Sequence, residues 1–155
     1  MKQQPSVFKD LKEVCIHGTK SFPCAIYRTH AARKGVFVKH HWHDEVEILY
    51  FSKGAFRLEI NMKSFPIQSE CFYFINPGEL HSIIAETSER YWEDVVVFSP
   101  DILGFDSGYG VQIRLIKPIQ NKELLFSTMH LIAASCVFHA AQCLYRHYAC
   151  VWTKY

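Results

Sequence analysis

Two short segments carry the residue types from which a site could be built. The first is His41-Trp42-His43-Asp44-Glu45-Val46-Glu47, followed by Gly54; the second is Asn76-Pro77-Gly78-Glu79-Leu80-His81. Side chains on an extended strand alternate between faces, so His41, His43 and Glu47 share one parity and project to one side. His81 follows a second apolar run, residues 71–75, that ends in the turn-forming pair Pro77-Gly78, and a neighbouring antiparallel strand would bring it opposite the first three. Three imidazoles and a carboxylate suit Zn, Fe, Ni, Mn or Cu, and on an octahedral ion they leave positions open. The sequence does not choose among these metals. Two other readings stay open: the four residues contact an organic effector without metal, or they form a hydrogen-bonded cluster with no ligand. A buried carboxylate facing apolar walls is costly unless paired or metallated, which favours the occupied readings. His40 and Trp42 have the opposite parity and face away.

The elements that must position these residues are strands. Apolar runs at 24–28, 35–39, 45–51, 55–61, 64–67, 71–75, 82–86 and 92–98 are separated by turn residues at the intervals of a barrel or sandwich. Phe56, Leu58 and Ile60 alternate with Arg57, Glu59 and Asn61, which implies one packed and one wet face. Eight such pieces can roll into a double-stranded β-helix, a jelly-roll barrel with room for one small ligand. A last strand is expected at 111–116. Composition then shifts: residues 124–145 contain no lysine, arginine or carboxylate, and Cys136, Cys143 and Cys150 recur every seven residues, as do Val137, Leu144 and Val151. That period places them along one stripe of a packed or dimerising helix. A membrane span is the weaker alternative, since His130, His139, Gln142 and Arg146 would be costly in hydrocarbon. A metal held by the three cysteines with His139 and His147 is another. The resulting division is an amino-terminal arm at 1–20, a barrel at 21–118 and a helical tail at 119–155.

The chain has 155 residues, which fits one domain, and a net charge of +2 spread without a lysine or arginine block, so nothing marks a nucleic-acid surface. The first residues lack the apolar core of a secretory signal, and cytoplasm is the default location. No membrane association is expected. The six cysteines include no C-x-x-C pair; in a reducing compartment Cys15, Cys24 and Cys71 are structural thiols.

The first segment resembles cupin motif one, with two histidines one residue apart, then Glu47 and Gly54. The second resembles motif two through Gly78 and His81, although Asn76 stands where the family usually has proline and Glu70 where it usually has glycine. Phe22-Pro23, His41-Trp42-His43-Asp44-Glu45, Glu47-Ile48-Leu49-Tyr50 and Asn76-Pro77-Gly78 to His81-Ser82 together resemble the amino-terminal sensor domain of AraC-type bacterial transcription regulators, over residues 15–120. That resemblance implies a mainly β cupin barrel with a carboxy-terminal helix, a small-molecule effector such as a sugar, a homodimer, and an arm near residues 8–14 that folds over the barrel mouth. Such regulators carry two helix-turn-helix units that this chain does not contain, so sequence-specific DNA binding is not expected of it alone. Within that reading His41, His43, Glu47, His81, Tyr50 and Tyr73 contact the effector, the first four also being the candidate ligands of a divalent metal (Zn, Ni, Fe or Mn). No catalytic residue is assigned. The alternative is a metal-dependent cupin enzyme, an isomerase or dioxygenase, in which the ion holds substrate or dioxygen.

Overall fold

The computed structural model describes residues 10–67, 71–104 and 109–131. Nine strands run in the order β1 (Cys24–Ala31), β2 (Gly35–His41), β3 (Val46–Lys53), β4 (Phe56–Ile60), β5 (Lys63–Ile67), β6 (Cys71–Ile75), β7 (His81–Ala85), β8 (Tyr91–Phe98) and β9 (Met129–Leu131). They form two antiparallel sheets, a five-stranded one ordered β1-β8-β3-β6-β9 and a four-stranded one ordered β2-β7-β4-β5. This is the cupin jelly roll, and its first eight strands are the eight apolar runs of the sequence.

Alternation explains why the sheets close on each other. In β4, Phe56, Leu58 and Ile60 are buried while Arg57 and Glu59 face outward, and in β8 the buried set is Tyr91, Glu93, Val95 and Val97. These inward residues meet Leu49 and Phe51 of β3, Tyr73 and Ile75 of β6, and Ile83 of β7 in one core between the sheets. The β4–β5 connection runs through Asn61 (φ 48°) and Met62 (φ 67°), the positive-φ pair of a type I′ hairpin turn, whose twist matches the strands it joins. At Gly54 (φ 111°) a side chain is excluded for a second reason: its Cβ would stand 2.6 Å from that of Tyr91.

Two expectations about the carboxy-terminal part need correction. The strand expected at 111–116 is helical instead: Tyr109–Val111, a π-wound Gln112–Ile116 and Lys117–Gln120 follow one another. Val111, Ile113 and Leu115 alternate as in a strand, but all three are exposed, and the residues that bury are Ile116 and Ile119, three apart as a helix requires. Beyond Gln120 the described chain is not helical; Met129–Leu131 extends the larger sheet by pairing with β6. The cysteine stripe at 136, 143 and 150, and the helix expected there, lie outside the described residues. Among the described residues no helix is long and apolar enough to cross a membrane.

Candidate functional site

The two sheets meet at one mouth of the barrel, and the histidines and Glu47 sit on that seam. β2 of the smaller sheet ends at His41, which pairs directly with His81 at the start of β7; the two rings are 4.2 Å apart. The chain then crosses to the larger sheet through residues 42–45, carrying His43, and enters β3, where Glu47 is the second residue. The ligands expected from one strand therefore come from a strand end, a corner and a strand of the opposite sheet. The partner strand for His81 is as expected. A loop contact fixes the corner: the Gly78 amide donates to the His43 carbonyl at 2.7 Å, with Gly78 at φ 74°.

Each imidazole is oriented by its Nδ1. That of His41 lies 2.9 Å from the Lys39 carbonyl, that of His81 2.9 Å from the Glu79 carbonyl, and that of His43 3.2 Å from the Glu45 carbonyl. A carbonyl only accepts, so all three Nδ1 atoms carry the proton, and in the neutral ring Nε2 presents a lone pair. Those Nε2 atoms converge on Glu47. His43 Nε2 is 2.9 Å from Glu47 Oε2 and His81 Nε2 is 3.1 Å from the same oxygen. The second contact is not aligned as a hydrogen bond, and His81 Nε2, in a residue with 0% exposure, has no hydrogen-bond partner. One ligand atom from each of the four residues lies within 4.8 Å of the others. Ligands at zinc-like bond lengths stand roughly 3.3–3.8 Å apart, so small side-chain rotations would close the set on one ion.

The charges are consistent with this. Burial would raise the Glu47 carboxyl, but the hydrogen bond from His43 and the proximity of His81 outweigh it and hold it down to about 2. His43 shifts the other way: burial lowers it, while the hydrogen bond and charge of Glu47 raise it more, so the His43 imidazolium forms more readily than usual. His41 is lowered, by burial and by repulsion from His81. Without metal, both ring nitrogens of His43 face oxygen acceptors, so a proton between His43 and Glu47 takes the place where a divalent ion would bind. A buried lone pair without a partner and three anchored rings fit a metal.

Of the remaining sequence-derived site residues, Tyr73 pairs with Leu49, two register positions from Glu47, and faces inward, buried in the core near Phe51 and Cys71. Tyr50 is a correction. It pairs with Phe72 and stacks on it at 4.8 Å, on the face opposite Glu47, because it lies an odd number of residues from Glu47 along β3. His40 faces outward as expected, with Nε2 3.1 Å from Glu59. The Trp42 backbone pairs with the amino-terminal segment: Glu13 N donates to Trp42 O at 2.9 Å and Trp42 N to Leu11 O at 3.1 Å. That segment separates two clefts, one of about 430 Å³ bordered by His41 and one of about 470 Å³ bordered by His43.

Sequence reasoning missed three polar residues. Glu13 and His17 belong to the same neighbourhood, with Glu13 Oε2 3.6 Å from His41 Nε2 and the His17 ring 5.8 Å from that of His43. Glu93 is buried among inward residues of β8, its Oε1 without a partner, and burial, with the nearby charges of Glu47 and Asp94, pushes it to about 8. A carboxylate at inward parity between Tyr91 and Val95 was the available signal.

Residues 23–118 match the family model of the AraC-like ligand binding domain. The chain is similar to an uncharacterised helix-turn-helix-type transcriptional regulator, YdeC, of Bacillus subtilis (strain 168), at 33% identity over 82 residues; this covers 52% of the chain and 28% of that regulator's length. Among solved structures it is similar to a predicted oxalate decarboxylase from Thermotoga maritima (25% identity, TM-score 0.44, covering 48% of this chain and 64% of that one). It is also similar to the Cnp3 cupin domain of Schizosaccharomyces pombe (11% identity, TM-score 0.49, covering 60% and 63%) and to a Cupin 2 conserved barrel domain protein from Salinispora arenicola CNS-205 (18%, 0.47, 59% and 76%).

Proposed function

The chain belongs to the AraC-like ligand binding domain family, and from this premise we propose that it is the effector-sensing part of a bacterial transcription regulator, built around a metal-assisted site at the barrel mouth. The observation that carries the reading is the convergence of three carbonyl-anchored imidazoles on Glu47 at the seam between the sheets. His41, His43, Glu47 and His81 would hold a divalent ion of the Zn, Ni, Fe or Mn group. When bound, such an ion would supply a Lewis-acidic anchor for the oxygen atoms of a small polar effector, a sugar being the class that the family resemblance implies.

His41 is the residue best placed to meet both ion and effector, since its side chain keeps 21% exposure while that of His81 has none. The effector would enter through the clefts on either side of residues 11–13 and contact the backbone-paired segment as well as the ion. Occupancy then shifts the regulator only as far as it favours one arrangement over another. The same reading makes the domain a cytoplasmic homodimer whose DNA-binding part lies outside this chain.

The test begins with the metal content of the purified chain, followed by calorimetric titration of the metal-loaded protein with a panel of neutral sugars and sugar acids. Binding of one class, lost in His41→Ala while circular dichroism stays unchanged, supports the reading. Turnover of the bound compound would replace it with the enzyme alternative, and binding that survives His41→Ala would move the effector site elsewhere.

A further inference from the structure

The segment that lies along Trp42 carries an inverted pattern. Val14 and Ile16 are 96% and 83% exposed, whereas the residues of opposite parity, Glu13, Cys15 and His17, are polar or thiol-bearing, and His17 is buried. A segment that puts two β-branched hydrophobes into water and buries a histidine, with Glu13 half-buried and Cys15 exposed, gives up apolar burial, so polar contacts must hold it. Part of what holds it is visible. His17 Nδ1 is 2.9 Å from the Tyr27 hydroxyl, and His17 Nε2 points at Glu13 Oε2, 3.1 Å away. One ligand atom each from Glu13, Cys15 and His17 lies within 4.8 Å of the others, and the Cys15 thiol makes a long contact, 3.9 Å, to the Ile16 carbonyl besides its interaction with the Tyr27 hydroxyl. The 470 Å³ cleft is bordered by Glu13 and Cys15, which gives an ion a way in.

We propose that Glu13, Cys15 and His17 form a second cation site, distinct from the cluster of His41, His43, Glu47 and His81, that takes a thiophilic divalent ion such as Zn2+. A carboxylate, a thiolate and an imidazole are a ligand set that zinc accepts, and three protein ligands leave a fourth position for water. Tyr27 is the outer partner that fixes the His17 ring, the role such hydroxyls and carbonyls play around metal-bound histidines. Cys15 binds as the thiolate, so its thiol proton passes to solvent as the ion enters. Glu13 joins the two sites: its Oε2 lies 3.1 Å from His17 Nε2 and 3.6 Å from His41 Nε2, so one carboxylate can serve either ion or bridge both. An ion here would fix the conformation of residues 13–17, a segment tied to β1 through the contact of His17 with the Tyr27 hydroxyl, and leave Val14 and Ile16 displayed outward.

Cobalt is the probe, because a thiolate ligand gives Co2+ an intense near-ultraviolet charge-transfer band that nitrogen and oxygen ligands do not. The full chain, reduced and stripped with chelator, is titrated with Co2+ alone, beside Cys15→Ser, His17→Gln and His81→Ala. The expected result is a charge-transfer band in the wild type, its loss in Cys15→Ser, its weakening in His17→Gln, and its retention in His81→Ala, where the other site is damaged. Absence of the band in the wild type, or its survival in Cys15→Ser, overturns the proposal. A second readout does not depend on any variant: alkylation of Cys15, followed by peptide mass spectrometry, should slow at least tenfold when Zn2+ is added, and an unchanged rate overturns the proposal equally. Because His81→Ala removes a ligand of the first cluster only, a failure of that cluster to bind metal is read separately from a failure of this one.

Discussion

Glu93 is the residue whose chemistry differs most from its neighbours'. It occupies an inward position of β8, paired across the sheet with Phe51 of β3, and its Oε1 has no hydrogen-bond partner. Burial and the charges of Glu47 and Asp94 raise its carboxyl from 4.5 to about 8. The sign follows from linkage. A carboxyl whose folded pKa exceeds its unfolded one costs the native state nothing while both forms are protonated, below about pH 4.5, and the cost grows as pH rises until the folded form ionises near pH 8. At pH 7 the penalty is on the order of 3 kcal/mol, from 1.36 kcal/mol for each pH unit above the unfolded value. Glu93→Gln keeps the shape and cannot ionise. Urea unfolding of both proteins should give similar stability at pH 4.5 and a gap in favour of the variant that widens steadily to pH 8. A gap independent of pH would mean that Glu93 is already paired or solvated. Spacing singled out His41, His43, Glu47 and His81, but parity along one strand misplaced them, because a corner at 42–45 divides them between the sheets; within single strands the same count excludes Tyr50 and flags Glu93.

At the scale of elements, the loop between β6 and β7 explains a departure from the family pattern. Asn76 stands where cupins usually carry proline, and the structure shows what it does there. Its amide proton goes to Glu79 Oε2 at 2.8 Å, its Oδ1 accepts from the Phe126 amide at 2.7 Å, and its Nδ2 donates to the Phe126 carbonyl at 3.1 Å. The first bond needs an N–H that proline lacks, and the other two clamp the loop leading to His81 against the segment leading into β9. Asn76→Pro, although it restores the family residue, should therefore destabilise the fold by about 2 kcal/mol, since it removes these three hydrogen bonds of the buried Asn76 and leaves the half-buried backbone groups of Phe126 without that partner. Thermal and urea melts check this, and a neutral effect would show that water replaces the clamp. Such long-range pairing explains what the sequence did and did not reveal. All eight barrel strands were legible because each is a short apolar run bounded by turn residues, with alternation added where one face is wet, as in Phe56-Arg57-Leu58. The helical turns at 109–120 were not, because Val111, Ile113 and Leu115 alternate while facing solvent. β9 was hidden in a run of uncharged residues, where no alternation marks a face, and Glu13 and His17 lie on an irregular segment placed by long-range contacts, its backbone bonds to Trp42 and the contact of His17 with Tyr27.

For the molecule as a whole, the position of the site has a mechanical consequence. His41 and His81 belong to the four-stranded sheet and Glu47 to the five-stranded one, with His43 on the link between them. An ion held by all four cross-links the two halves of the barrel at the mouth, whereas one held by residues of a single strand would not. Unfolding must separate the sheets, so it must release the ion, and binding energy appears in full as global stability: about 2.7 kcal/mol when free metal stands at a hundred times its dissociation constant. The chelator-treated chain should therefore gain unfolding midpoint with added Zn2+ or Ni2+, in proportion to the logarithm of concentration once the site is filled, with the denaturant slope unchanged. His81→Ala should abolish most of the gain because it removes the ligand that links β7 to Glu47. Cys15→Ser, by contrast, should keep it, since the segment it belongs to packs on the outside of the mouth and separates from the barrel without parting the sheets. A gain that persists in His81→Ala would place the stabilising ion away from the seam, and the absence of any gain in the wild type would leave His43 and Glu47 as a proton-bridged pair that closes the barrel without metal.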